Sequence, residues 1–167
     1  MRNRGAHAVA GRPAASRSAG HRPARETRAR PQCAAAAICA SGLTARLLAH
    51  EPQVVDPVEV TFDDAGRMWV VQMLDYPFRT SEQPRGRISI LSDSDDDGHF
   101  ETAQVFADQL EMPTGLALWK NGAVVTVAGQ LIYLTDNDGD LRADQTQVWL
   151  EGFAQENEQL RANHPRL

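Results

Sequence analysis

Two short acidic runs carry the densest chemistry in the chain. Asp93-x-Asp95-x-Asp97-Gly98 is followed by Glu101, which places oxygen ligands at positions 1, 3, 5 and 9 of a turn. Asp136-x-Asp138-x-Asp140 with Asp144 repeats that spacing. Alternating carboxylates on a tight turn converge on one point, and hard oxygens at that density suit Ca²⁺. A bound cation also offsets the repulsion between the carboxylates. Neither run is a full EF-hand. Position 12 would be Gln104 or Gln147 in place of a bidentate Glu, and Leu141 stands where the second turn should have glycine. The competing reading is a solvated acidic hairpin with no specific ion. Recurrence of the same ligand spacing favours calcium.

Other reactive side chains are sparse. There is no Gly-x-Ser-x-Gly elbow, phosphate-binding loop or His-Glu-x-x-His. Cys33 and Cys39 alone make neither a disulfide framework nor a four-ligand zinc site, and no Cys-x-x-Cys-His offers a haem attachment. Of the five histidines, His7 and His21 fall in an Arg-rich stretch, and His50 and His99 read as surface residues. His164 follows the polar run 155–159 and is the candidate general base. Gln72, Asp75 and Tyr76 begin a long polar insertion and are candidate substrate contacts.

The elements that must position these residues are short and β-rich. VEVTF (58–62), RMWVVQ (67–72), RISIL (87–91), TAQVFA (102–107), GLALW (115–119), AVVTVA (123–128), LIYLT (131–135) and QVWL (147–150) alternate with Asp, Gly and Asn turns. Such runs predict antiparallel strands. They also repeat. Ile90–Asp97 aligns with Tyr133–Asp140 at an offset of 43, which carries Glu101 onto Asp144 and Phe106 onto Trp149. Thr44–Ala49 resembles Thr102–Ala107 as a third copy of the outer strand. A period of 40–50 residues with four strands per unit is the β-propeller signature. The alternative is a plain meander or sandwich, which does not require the acidic turn to recur at fixed spacing. The expectation is an all-β, incomplete propeller with an outer ring-closing strand at 44–49, blades at 58–107 and 115–150, and the start of a third blade at 151–167. In that layout His164, Gln72, Asp75 and Tyr76 lie at the mouth of the central channel, where propellers bind ligands. Two blades do not close a ring, so the chain reads as a fragment.

Charge divides the chain. Residues 1–32 carry eight Arg and one acid, a net +7, whereas the remaining residues carry −12, and the average is −5. An acidic body argues against nucleic acid as partner. No run of about 18 apolar residues offers a transmembrane helix. Residues 1–32 lack apolar periodicity, and residues 1–42 are expected to be a disordered Arg/Ala-rich extension. A basic arm and an export signal ending in CAAAAICA (33–40) are the other readings of it. CAAAAICA is only weakly apolar and does not make a convincing signal peptide.

Three sets of residues carry a family resemblance: Leu47–Val58; Phe62–Val71 with Asp75-Tyr76-Pro77-Phe78; and the acidic turns with Val105–Asp108, Pro113-Thr114-Gly115 and Asn157-Glu158-Gln159. Together they resemble the N-terminal propeller of the planctomycete-type "membrane-bound dehydrogenase domain" proteins, the PVC-type haem-binding proteins. That group is related to soluble quinoprotein glucose/sorbosone dehydrogenases. The resemblance implies export to the periplasm, pyrroloquinoline quinone with calcium as cofactors, and a downstream cytochrome segment as partner. His164-Pro165-Arg166-Leu167 is similar to a shortened form of the relatives' His-x-x-Gly-Arg-Leu stretch, which implies His164 as base and Arg166 as a channel residue. The expected function is part of a sugar or alcohol dehydrogenase, without turnover by these residues alone. The missing blades and a small sugar or alcohol are the expected partners. The alternative is a calcium-stabilised scaffold that binds carbohydrate or protein without redox chemistry.

Overall fold

The computed structural model describes residues 41–76, 84–155 and 161–166. The Arg-rich extension up to residue 40, residues 77–83 of the polar insertion, Asn157-Glu158-Gln159 and Leu167 lie outside the described residues. Eight strands form: β1 Pro57–Phe62, β2 Met68–Gln72, β3 Gly86–Ser92, β4 Thr102–Leu110, β5 Gly115–Trp119, β6 Gly122–Val127, β7 Gln130–Thr135 and β8 Gln145–Glu151. All eight coincide with runs expected from the sequence. No helix forms among the described residues, and none is long and apolar enough to cross a membrane.

The strands build two four-stranded antiparallel meanders, β1-β2-β3-β4 and β5-β6-β7-β8. These are two blades of an incomplete, all-β propeller. β2 (MWVVQ) and β6 (GAVVTV) are buried along their whole lengths. Both are central strands covered on two faces, which is why their apolar residues run continuously and do not alternate. The main core lies between the blades. Trp69, Val71, Ile88, Ile90 and Phe106 of the first blade pack on Leu116, Val125, Ile132 and Leu134 of the second. Trp69 meets Phe106 edge-on with ring centroids 4.7 Å apart. Each such buried side chain contributes about 1.5–3 kcal/mol, so this interface dominates the stability of the pair. On the other face of the first blade, Met68, Val70, Leu91 and Phe100 are covered by Leu48, Ala49 and Val54.

The segment 44–49 departs from expectation, because it carries no strand. A strand exists only through a ladder partner, and none of the described residues pairs with it. Its seat nevertheless repeats that of β4. Gln104 Nε2 donates to the Asp140 carbonyl at 2.6 Å, and the Ala143 N–H donates to the Phe106 carbonyl at 2.8 Å. At the first acidic loop, Arg46 donates to the Asp97 carbonyl and the Phe100 N–H donates to the Leu48 carbonyl at 2.8 Å. Residues 46–48 therefore stand to the first acidic loop as residues 104–106 stand to the second.

Candidate functional site

Meander connectivity sorts the loops onto two ends. The β1–β2, β3–β4, β5–β6 and β7–β8 turns share one end, which holds both acidic runs. Residues 73–76, 84–85, 111–114, 152–155 and 161–166 share the other, which holds His164 and Asp75.

At the acidic end, the two loops fold alike. The Ser94 and Asn137 N–H groups donate to Glu101 and Asp144 at 3.1 and 2.6 Å. The Gly98 and Leu141 N–H groups donate to Asp93 and Asp136 at 2.7 and 2.9 Å. Leu141 adopts φ 65°, the left-handed conformation of its counterpart Gly98 at 83°. An Asx-bonded turn thus holds a non-glycine residue where the first loop uses glycine. Asp93, Asp95, Asp97 and Glu101 bring ligand oxygens within 4.8 Å of one another, as do Asp136, Asp138 and Asp144. Asp140 is not brought into that group, and its Oδ1 accepts the Arg142 N–H at 2.8 Å. The Asp97 N–H holds the Asp95 carboxyl down, but the Asp97, Glu101 and Asp93 charges outweigh it, and the Asp95 pKa is raised. Glu101 is lowered, chiefly by the Ser94 N–H. The loops differ in their first ligand. Asp93 Oδ1 is buried without a hydrogen-bond partner, whereas both oxygens of Asp136 accept N–H bonds, from Gly139 and Leu141. The orphaned oxygen of the first loop is the kind of atom that a hard cation would satisfy.

Beside them, Asp63 locks the β1–β2 turn. It accepts from the Ala65 and Arg67 N–H groups at 3.0 Å, from Arg67 Nε at 2.7 Å and from Trp69 Nε1 at 2.9 Å. Burial pushes its pKa up, but the bonds from Trp69 and Arg67 prevail and the net shift is downward.

At the other end, His164 sits on a strap laid over the start of β5. Its backbone has φ 51°. The Pro113-Thr114-Gly115 motif makes the seat. Thr114 Oγ1 donates to the Ala162 carbonyl at 2.7 Å, and a Cβ on Gly115 would stand 2.5 Å from the His164 backbone nitrogen. His164 Nδ1 lies 2.8 Å from Glu59 Oε2, and Arg166 approaches His164 Nε2 at 2.7 Å. Arg only donates, so Nε2 accepts and Nδ1–H is the donor to Glu59. The imidazole is thereby held in one tautomer and orientation. Glu59 was not singled out by the sequence. The available signal was its place as the one acid between Val58 and Val60 of β1.

The remaining candidates divide. Gln72 does not line an open channel. It is fully buried, with Oε1 accepting from Val55 N–H at 2.7 Å and Arg87 at 3.0 Å, and Nε2 donating to Ser89 Oγ at 2.7 Å. A buried amide must be satisfied internally, and this one joins β2, β3 and the segment before β1. Asp75 is 8% exposed. Its Oδ2 accepts the Arg85 N–H at 2.8 Å, and its Oδ1 has no partner. Tyr76 is half exposed. Arg161, which no motif indicated, is buried, with its guanidinium on Met112 Sδ at 2.8 Å and its Nε without a hydrogen-bond partner.

A family model described as "Domain of unknown function (DUF7133)" matches residues 31–167. No curated protein matches the chain. Among solved structures the chain is similar to the holo form of the PQQ domain of pyranose dehydrogenase from Coprinopsis cinerea. The likeness has 15% identity and a TM-score of 0.46, and covers 62% of this chain and 22% of that chain. The chain therefore spans about a fifth of the length of that structure.

Proposed function

The chain belongs to the DUF7133 family, and from that premise we propose that it forms two blades of a larger, exported quinoprotein-like propeller that oxidises a sugar or related alcohol. The observation that carries this reading is the His164–Glu59 contact at 2.8 Å, which leaves only Nε2 to accept a proton. In the proposed site His164 Nε2 takes the hydroxyl proton of the substrate, Glu59 orients the ring, and Arg166 is displaced from Nε2 to bond the incoming oxygen. Arg87, Arg161 and Arg166 lie at the same end, and the unpartnered Nε atoms of Arg87 and Arg161 suit an anionic cofactor such as a carboxylated quinone. A bound quinone would supply acceptance of two electrons. Asp93, Asp95, Asp97 and Glu101 would hold calcium at the far end, where it braces the fold and takes no part in proton transfer.

The test uses a longer protein containing these blades. His164→Gln should lower kcat of dye-linked sugar oxidation by about 10²–10⁴-fold. An unchanged kcat would overturn the reading. The 167 residues alone are expected to show no turnover with quinone and calcium. A second reading, a calcium-stabilised scaffold without redox chemistry, is supported by the orphaned Asp93 oxygen. It is distinguished by calcium raising Tm in a propeller that takes up no quinone.

A further inference from the structure

The acidic end holds a cleft of about 600 Å³ that borders the second acidic run at Asp136. It opens between the β1–β2 turn of one blade and the β5–β6 turn of the next. Trp69, Phe106, Leu118 and Leu141 supply apolar surface to its lining. Its lining also includes two partly exposed aromatic rings, Phe62 at 51% exposure, which packs on Phe100, and Trp119 at 41%. Large aromatic surface left in water is unfavourable, and placed around a concavity it marks a contact surface for a ligand.

The polar groups narrow the chemistry. The planar side chains of Asp64, Arg67 and Asn121 line the cleft beside the rings. Arg67 directs Nε to Asp63, Lys120 Nζ lies 5.6 Å from the Trp119 ring centroid, and three carboxylates, Asp63, Asp64 and Asp136, outnumber these two cations in the lining. Asp136 forms part of the wall, and the second acidic run continues from it. That field repels phosphates and uronates. The Asn121 amide is fixed by Asp136 and Tyr133, which makes the wall rigid. A neutral pyranose ring fits these constraints. One face presents C–H groups to an indole, its edge presents hydroxyls to planar polar side chains, and it carries no charge.

We propose that this cleft is a saccharide-binding site for neutral hexose or pentose units, separate from the channel mouth, with Trp119 as the stacking platform. It lies at the opposite end from His164, so it stands or falls independently of the dehydrogenase reading. In a sugar-oxidising protein it would hold a polymer near the chemistry. In a scaffold it would be the recognition site itself.

The experiment is calorimetric and fluorescence titration of the full chain with cellohexaose, xylohexaose and mannohexaose, and with hexagalacturonate as the charged control. At least one neutral oligosaccharide should bind and shift tryptophan emission to the blue. Trp119→Ala should weaken that binding by at least about 10-fold, and Trp119→Phe by no more than about 3-fold. Both variants should keep the parent Tm, because the Trp119 ring is exposed and its backbone carbonyl, which accepts the Tyr133 hydroxyl at 3.3 Å, is retained. The proposal is overturned if no neutral oligosaccharide binds at about 10 mM, if Trp119→Ala binds as well as the parent, or if hexagalacturonate binds more tightly than every neutral sugar.

Discussion

Gly115→Ala probes how the His164 strap is held. The new Cβ would meet His164 N at 2.5 Å, His164 Cα at 3.0 Å and Pro165 Cδ at 3.2 Å. The first two are backbone atoms, so no side-chain rotation relieves them. Enduring the clash costs about 1–3 kcal/mol. The strap has another route, which is to lift off β5. Lifting forfeits the Thr114–Ala162 hydrogen bond, about 1 kcal/mol, and the half-exposed His164–Glu59 contact, worth at most about 1 kcal/mol. The cheaper route sets the ceiling, so the loss should be about 1–2 kcal/mol, which lowers Tm by roughly 3–8 °C. A double-mutant cycle with Glu59→Gln distinguishes the routes. In the parent, Glu59→Gln should move the His164 ring ¹⁵N shifts. In the Gly115→Ala background it should leave them unchanged, because Glu59 no longer touches the ring. Gly122→Ala is the contrast. Its Cβ would strike the Leu134 carbonyl inside the β6–β7 ladder, where nothing can lift away, and it should cost more than Gly115→Ala. Equal Tm losses in the two variants, or intact Glu59 coupling in Gly115→Ala, would refute the reasoning.

Further outcomes follow from the other networks. Gln72→Leu should cost about 2–4 kcal/mol in chemical denaturation, because it strands the Val55 N–H, Arg87 and Ser89 in the interior; a loss below 1 kcal/mol would contradict that account. Asp63 has a depressed pKa when folded, so its stabilisation is complete above the unfolded-state value and fades as pH falls through the folded one. Asp63→Asn should therefore lower stability by about 1–2 kcal/mol at neutral pH, with the gap to the parent closing in acid. Asp95 has a raised pKa when folded, so its ionisation as pH rises through that value opposes folding when no cation is bound. Asp95→Asn should accordingly leave the calcium-free Tm unchanged or slightly higher and abolish any calcium-induced rise. Asp136→Asn should lower Tm even without calcium, since its two oxygens hold Gly139 and Leu141.

The strands were legible because β-branched and aromatic runs are punctuated by Asp, Gly and Asn, and local chemistry is enough to end a strand. The repeat proved more than textual. The 43-residue offset read from Ile90 and Tyr133 reappears in hydrogen bonds, Ser94–Glu101 matching Asn137–Asp144. What escaped the sequence depends on partners far along the chain. Residues 44–49 have strand-like composition, but pairing decides a strand and no neighbour among the described residues supplies it. Glu59 and His164 meet across 105 positions, with nothing local to link them. Gln72 was misplaced because a polar residue at a strand end suggests an open mouth, whereas here three groups close around it. Leu141 broke the expected glycine pattern because backbone donors to Asp136 sustain its left-handed turn.

The shared seat of residues 46–48 and 104–106 gives assembly a direction. The second acidic loop grips the outer strand of the blade before it, and the first grips the segment 46–48 in the same way, each through a carbonyl-capping side chain and one backbone bond. A blade leaving the ribosome therefore finds its docking template already made, in the strand synthesised just ahead. The segment around Arg46 and Leu48 offers the first blade the same seat. On this scheme the propeller grows like a ratchet from its amino-terminal side. An error in residues 46–48 would disturb the seating of the first blade, and every later blade would inherit it.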